Sequence, residues 1–542
     1  MFSSIDPRPP TYRTFTSELL TILTVTFAQT MNQASTTNIL PMMNSLSDSF
    51  PDVTENDKSW FMASLPLTSG AFILISGKFG DLYGLKKVMI SGILWSAVWC
   101  LISALSSYSH NVVFFCIARS FQGIGLAFML PNGIGIIGTT YPPGLRKALV
   151  FSAIGACAPF GATMGVIFGG LCTDLSHWTT GFYVQCGSLF GMAALAWYGL
   201  PSDKERLAIM NQGRHTDEKK KGMDWIGSIL GVTGLVLFNF AWNQAPAVGW
   251  GEPYIIVLLI IGVLSLALFF VAEKYVAYPL IPSEIMNLHL LLILGTIAFG
   301  WASFGIWTYF YWAFMLNLKM WSPLDTGISY IPLLIFGVIA AFLVSALITR
   351  VRPSFILILA MIGFFSGIIM LAQTPVHQTY YRMLLGQMIL LSFGMDLSFP
   401  AASLILSDNL PPQHQGMASS LVSTFINYSM SISLGVAGTA SSEVMKKWVK
   451  SHSGYTELQY LEKQYRVSMY VGVGFAGIAV GLAFLLHLLS YVWEKQVEAE
   501  ADKLEETGPD NRLSRTATNR SSAHRAEVGY SLIRSASKKS QA

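Results

Sequence analysis

Apolar stretches long enough to cross a bilayer recur along nearly the whole chain, and they limit its fold more than any other feature. A helix of ~20 mostly apolar residues spans the hydrocarbon core. Fourteen such segments are expected, near residues 17–46, 58–77, 88–107, 110–140, 147–173, 178–200, 224–244, 253–272, 288–316, 323–349, 353–373, 381–407, 414–441 and 467–492. Their unbroken apolarity excludes barrel strands, which would alternate. Only 12% of residues are charged, 52% are hydrophobic and the mean hydropathy is +0.50. A soluble domain carries about 25% charged residues, so many faces here must meet lipid. The expectation is an all-α polytopic membrane protein with fourteen transmembrane helices.

Spacing groups these helices as six, two and six. A short segment 1–16 precedes a bundle at 17–200. A basic linker, 201–222, carries Lys204, Arg206, Arg214, Lys219, Lys220 and Lys221. An accessory pair with its following loop covers 223–287, a second bundle 288–492, and a polar tail 493–542. The tail is rich in Ser and Arg and is expected to be disordered. Within it, Arg512-Leu513-Ser514 and Arg534-Ser535 read either as phosphorylation sites or as plain solvated charge.

Charge placement orients the chain. With both termini in the cytosol, cytosolic segments hold 25 of the 34 Lys and Arg, as the positive-inside rule requires. The outer loop 442–466, with Lys446, Lys447, Lys450, Lys463 and Arg466, is the exception. The first apolar segment is too long for a cleavable signal peptide. Cys100, Cys116, Cys157, Cys172 and Cys186 lack CxxC spacing and read as small packing residues. No phosphate-binding glycine loop, clustered metal ligands or nucleophile–base motif is visible. No enzyme activity, cofactor, metal or nucleic-acid partner is expected. The expected partners are a small-molecule substrate, protons and the bilayer, with the chain a monomer.

Polar residues inside apolar segments carry the functional signal. Arg119, in Arg119-Ser120-Phe121-Gln122-Gly123-Ile124-Gly125, lies roughly 13 Å deep by helical rise. A charge there costs roughly 3 kcal/mol or more unless it meets a cavity or a partner. Asp396, in Phe393-Gly394-Met395-Asp396-Leu397-Ser398-Phe399-Pro400, reads as the one carboxylate deep in an apolar segment. It is either a proton or cation site or the permanent partner of Arg119. Gln29, Asn32, Gln33 and Thr36 fall on one face of the first helix and are expected to line a cavity. Asn427 is a further candidate there, and Asn239 and Asn243 suit helix–helix hydrogen bonds. Trp301 and Phe304 are candidates for substrate contact. Tyr309, Tyr311 and Trp312 read as an interfacial aromatic belt.

Between the second and third segments stands Gly77-Lys78-Phe79-Gly80-Asp81-Leu82-Tyr83-Gly84-Leu85-Lys86-Lys87. This loop resembles the signature G-x-x-x-D-x-x-G-x-K/R-K/R of the major facilitator superfamily. Gly80, Asp81, Gly84, Lys86 and Lys87 fall on that pattern. The stretch from Arg119 to Gly125 is similar to the R-x-x-Q-G-x-G of its proton-linked drug exporters. Gly155-Ala156-Cys157-Ala158-Pro159-Phe160-Gly161-Ala162 with Gly165 is similar to the exporter motif G-x-x-x-G-P-x-x-G-G, except at Ala158. With fourteen segments, and Asp224-Trp225-Ile226-Gly227 opening the seventh, the chain resembles the fungal fourteen-helix drug:proton antiporters. Leu237 through Pro246, Phe299 through Trp307, Ser392 through Pro400, Ser407 through Pro411, Gln415-Gly416 and Asn427-Tyr428-Ser429 are similar to one subgroup. It contains aminotriazole-resistance, boron-efflux and low-affinity ammonium transporters.

The resemblance implies a secondary transporter of a small solute, with Asp81 and its loop latching the two halves in the outward-facing state. It implies proton coupling through Asp396 and Arg119. Where the exporters carry an acid before a Leu-Pro pair, matched here by Leu40-Pro41, this chain has Asn32. Export of a drug, aminotriazole or borate is expected, with ammonium or methylammonium transport as the alternative. A receptor or scaffold that keeps the fold without turnover is the alternative of another class. The plasma membrane is the expected location and the vacuolar membrane the alternative.

Overall fold

A computed structural model of the chain describes residues 8–507 except 13, 52, 55–56, 142–144, 204–221, 277–278, 282–287, 349, 409–414 and 453. Most of the basic linker and both Ser-Arg motifs of the tail lie outside the described residues. The described residues hold helices and no strand. In chain order the helices are α1 (Phe15–Thr37), α2 (Met43–Ser49), α3 (Ser59–Tyr83), α4 (Leu85–Leu105), α5 (Val112–Thr140), α6 (Leu145–Leu175) and α7 (Trp178–Gly199). Then come α8 (Trp225–Val248), α9 (Pro253–Ala272), α10 (Leu288–Ala313), α11 (Pro323–Ile328), α12 (Ile331–Leu347), α13 (Pro353–Gln373), α14 (Met383–Asp408), α15 (Gln415–Ser451) and α16 (Glu457–Thr507).

Twelve spans among the described residues are long and apolar enough to cross a membrane. α1 and α7, at 23 and 22 residues, match them in length but are more polar. In α1 the polar groups are mostly hydroxyls. Thr21, Thr24, Thr26, Thr30, Ser35, Thr36 and Thr37 each donate to the carbonyl four residues back. Such back-bonding lets a helix carry hydroxyls without a cost in lipid.

Some boundaries differ from the sequence expectation. The segment 17–46 breaks after Thr37, where Asn38 caps α1, and resumes as α2. The segment 323–349 divides into α11 and α12, with Tyr330 between them. Helix α16 does not end near 492 but runs on to Thr507, so the start of the expected disordered tail is helical. Its 51 residues amount to roughly 75 Å, so its last turns project beyond any bilayer.

The first set of helices packs together through α1 with α6 and α7, α3 with α5, and α4 with α5 and α7. The last set packs through α10 with α15 and α16, α13 with α14 and α16, and α12 with α14. Two seams join the sets: α3 against α15, and α6 against α11 and α12. α8 and α9 are the least buried spans, 28% and 22% inside the protein. α8 lies on α3 and α15, at the edge of their seam, and α9 lies on α8.

Glycines set how close the helices come. A Cβ on Gly70 of α3 would stand 2.8 Å from Tyr428 N and 3.2 Å from Thr424 O of α15. Gly161 and Gly165 of α6 leave no room for a Cβ against Thr30, Ala34 and Thr37 of α1. Gly155, the first glycine of the exporter-like motif, faces open space. The motif therefore acts as a packing seam over its second half only. Gly70→Val is expected to pry α3 from α15, lowering stability by about 1–3 kcal/mol and slowing transport. Gly155→Val should change neither, as read by thermal unfolding of the purified protein and by vesicle flux.

Candidate functional site

The chemistry-bearing polar groups form separate clusters in the two sets of helices. In the first set, Arg119 of α5 is fully buried. Its guanidinium donates to Gln122 Oε1 at 2.9 Å and to the Ser35 carbonyl at 2.8 Å. It also lies 5.5 Å from the centroid of the Phe182 ring, within cation–π range. Its Nε has no hydrogen-bond partner. Around it, Gln185 of α7 donates to Ser35 Oγ and accepts from Asn38 Nδ2 at 2.7 Å. No carboxylate among the described residues pairs with Arg119, so amides, carbonyls and a ring hold its charge.

In the second set, Asp396 of α14 is half-buried, and its Oδ2 is sealed without a partner. A Cβ on Gly337 of α12 would stand 2.7 Å from that oxygen and 2.7 Å from Pro159 Cβ of α6. The carboxylate therefore sits at the α6–α12 seam, beside the kink-forming proline of the exporter-like motif. It makes no ion pair with Arg119. The permanent pairing weighed from sequence does not occur, because α1 and α7 enclose the arginine and α6 and α12 face the acid.

The polar face of α1 is partly open. Gln29, Asn32, Gln33 and Thr36 are all partly exposed. Gln29 Oε1 has no partner, and Thr36 turns its hydroxyl back onto Asn32 O. Asn427 of α15 donates to Ser423 O of its own helix at 2.9 Å. Asn239 and Asn243 of α8 bond as expected of helix contacts. Asn239 Oδ1 accepts from Asn243 Nδ2 at 2.6 Å and from Ser431 Oγ of α15 at 3.0 Å.

The aromatic residues of α10 depart from expectation. Trp301 and Phe304 are 7% and 8% exposed. Trp301 Nε1 donates to Ser398 Oγ at 3.1 Å, and both rings pack on Phe364. They belong to the packing between α10, α13 and α14. Tyr309, Tyr311 and Trp312 are buried too, so they form no interfacial belt. Tyr311 and Trp312 bond to Ser329 and to Tyr330. Stacking continues along Phe304, Trp307 and Tyr311 at 5.5 and 5.3 Å. Aromatic residues near a helix end read alike whether they face lipid or a neighbouring helix, and only packing distinguishes them.

The α3–α4 loop shows what its pattern is for. Gly84, at φ +100°, gives the turn, and a Cβ on it would collide with Asp203. Lys86 Nζ donates to Trp197 O at 2.8 Å and Leu200 O at 2.6 Å, capping the carbonyl end of α7. Gly80 lies against Asn132 of α5. Asp81 and Lys87 are exposed, and Asp81 makes no hydrogen bond or ion pair among the described residues. These contacts stay within the first set of helices, and Asp81 is not latched. At the opposite end, polar contacts clasp the two sets. Asn44 Nδ2 donates to Asn317 Oδ1 at 2.8 Å and Leu324 N to Asp174 Oδ2 at 3.0 Å, and Asn317 is held in turn by its Nδ2 donating to Tyr465 OH at 2.8 Å within the last set.

The sequence points to Asp396 alone, yet Glu18, Asp224 and Glu273 are buried acids too. Glu18 of α1 is 1% exposed and takes a two-point contact from Arg146 and a 2.9 Å bond from Tyr141 OH. The signal was present: Glu18 is the only charged residue between Arg13 and Asp48.

A sequence profile of the Major Facilitator Superfamily matches residues 22–434 and again 292–534. The chain belongs to that superfamily. It is 45% identical to the aminotriazole resistance protein of Saccharomyces cerevisiae over 490 residues, covering 90% of this chain and 86% of that one. It is 39% identical to the low affinity ammonium transporter of the same yeast, covering 86% and 87%. A bacterial homolog of the human lysosomal transporter Spinster shares the fold, with a TM-score of 0.55 and 14% identity over 88% of this chain. The protein is a multi-pass membrane transporter, and small molecules are the substrates of such transporters. Because Trp301 is a packing residue, Trp301→Ala should destabilise the protein by about 3–5 kcal/mol. Thermal unfolding is expected to show that loss, while the surviving folded fraction keeps the wild-type order of substrate preference.

Proposed function

We propose that this transporter exports a small polar or xenobiotic solute in exchange for protons, with Asp396 as the proton carrier. The observation that carries the reading is the sealed, unpartnered Oδ2 of Asp396 at the α6–α12 seam. A seam between two sets of helices is where rocking changes a side chain's surroundings. Moving between a sealed site and a wet one changes a carboxyl group's hold on its proton, and so ties proton release to solute movement. The amide face of α1 offers neutral hydrogen-bonding groups to the solute. In this reading α1 and α7 also span, giving fourteen helices in a six, two and six arrangement, with α8 and α9 accessory. The two bundles rock about the α3–α15 and α6–α12 seams. The chain works as a monomer in the plasma membrane, its termini and α3–α4 loop cytosolic. The far-end clasp and the unlatched Asp81 then correspond to an inward-facing state.

The name of the relative at 45% identity favours resistance by export. Ammonium transport is the second reading, supported by the relative at 39% and by the partly exposed, uncharged amides of α1. Growth of a deletion strain separates them. Sensitivity to aminotriazole or borate is expected for export, and resistance to methylammonium would instead mean uptake. Asp396→Asn should reduce gradient-driven transport in vesicles to the rate seen without a pH gradient, while solute exchange continues. Full gradient-driven accumulation by that variant would make Asp396 structural.

A further inference from the structure

Two acids that play no part in the transport cycle above meet at the end of the accessory pair. Asp224 caps α8 and Glu273 ends α9, and they are 3% and 5% exposed. Asp224 Oδ1 accepts from Gly227 N at 2.8 Å, which is its capping bond. Its Oδ2 is buried and has no hydrogen-bond partner. Glu273 Oε1 accepts from Leu280 N at 3.1 Å and Oε2 from Ile281 N at 2.9 Å. A Cβ on Gly227 would collide with Asp224 Oδ2 and stand 2.9 Å from Glu273 Oε1. Both carboxylates therefore converge on one point, and the glycine leaves them room.

Two buried carboxylates this close do not both ionise. A proton on one would also supply the donor that Asp224 Oδ2 lacks. We propose that Asp224 and Glu273 form a proton-binding site, a carboxyl–carboxylate pair sharing one proton, which holds the accessory helices against the end of α3. The proton sits on Glu273. Burial raises its carboxyl above the ordinary range, and the neighbouring Asp224 adds to this, against the lowering effect of the two backbone N–H groups. The charged groups around the pair are few. Lys78 of α3 donates to Pro279 O at 3.0 Å, and Lys274 of the following turn is exposed. Lys219, Lys220 and Lys221 precede Asp224 and lie outside the described residues.

The pair has a mechanical consequence. Glu273 fixes Leu280 and Ile281, which pack with Ile75 and Phe269 and against Leu74 and Phe79. Lys78, in the signature loop, ties α3 to the same turn. Loss of the proton would leave two like charges in a buried site and loosen this clamp on α3. That effect on transport rests on α3 being a moving helix, as proposed above; the proton site itself does not.

The sign of the stability effect follows from the raised carboxyl. The folded protein holds the proton more tightly than the unfolded chain. Its stabilisation is complete below the ordinary carboxylate range and is lost as pH rises through the raised value. The test is the thermal midpoint of the full-length purified protein across pH about 5 to 8, for wild type, Glu273→Gln and Asp224→Asn. Wild type is expected to lose several degrees more than either variant as pH rises, because the variants cannot hold a second buried charge. Should one variant fail to fold, the other decides. Parallel profiles overturn the proposal. So does a wild-type midpoint at high pH that is restored by magnesium or sodium ions, which would make the site a cation site.

Discussion

A polar group in a membrane must find its partner within the protein, and the rest of this structure follows from that constraint. The hydroxyls of α1 meet it locally, through the carbonyls of their own helix. The amides of α7 and α8 meet it across helices. Arg119 meets it without an acid, through two acceptors and a ring. Among the buried side-chain atoms left without a partner in the described residues, the only carboxylate oxygens are those of Asp396 and Asp224. One lies at a seam between the two sets of helices, the other between two accessory helices. Both are where a proton would change the balance of forces.

The α3–α15 seam also joins the accessory pair to the two sets of helices. Gly70 lets the backbones of α3 and α15 touch. Ser431 of α15 has a single hydroxyl hydrogen but two acceptors at 3.0 Å, Ala63 O of α3 and Asn239 Oδ1 of α8. If α3 moves away, the hydroxyl keeps a partner on α8. The tie between α8 and α15 is reinforced by Tyr428 OH to Leu235 O at 3.1 Å and Trp250 Nε1 to Thr439 Oγ1 at 3.3 Å. Trp60 Nε1 of α3 also donates to Gln244 Oε1 of α8 at 2.8 Å, so the accessory pair is tied to both helices of the seam.

The helical fold was legible in the sequence because apolar runs of membrane length have one stable outcome in lipid. The superfamily was legible in Gly80, Asp81, Gly84 and the lysines after them. The structure gives those positions a local reason, with the turn at Gly84 and the α7 cap by Lys86. The polarity of α1 was legible as a face, since Gln29, Asn32, Gln33 and Thr36 share one side. Pairwise contacts were not legible. Arg119 and Asp396 are the deepest charges in the sequence, yet neither spacing nor composition says which helices surround each. The rings of α10 were misplaced for the same reason, because a buried helix end and a lipid-facing one have the same composition. Glu18 begins an apolar segment, where an acid reads as solvent-facing. Only the position of Arg146 and Tyr141 shows it to be enclosed.

The central claim is that the Asp396 carboxyl binds and releases the coupled proton. Infrared difference spectra of the protein in vesicles, taken between acidic and alkaline buffer, test it directly. The expected result is a protonated-carboxyl carbonyl band that appears on acidification in wild type and loses one component in Asp396→Asn, the remainder being that of the Asp224–Glu273 pair. A spectrum unchanged by that substitution would contradict the claim.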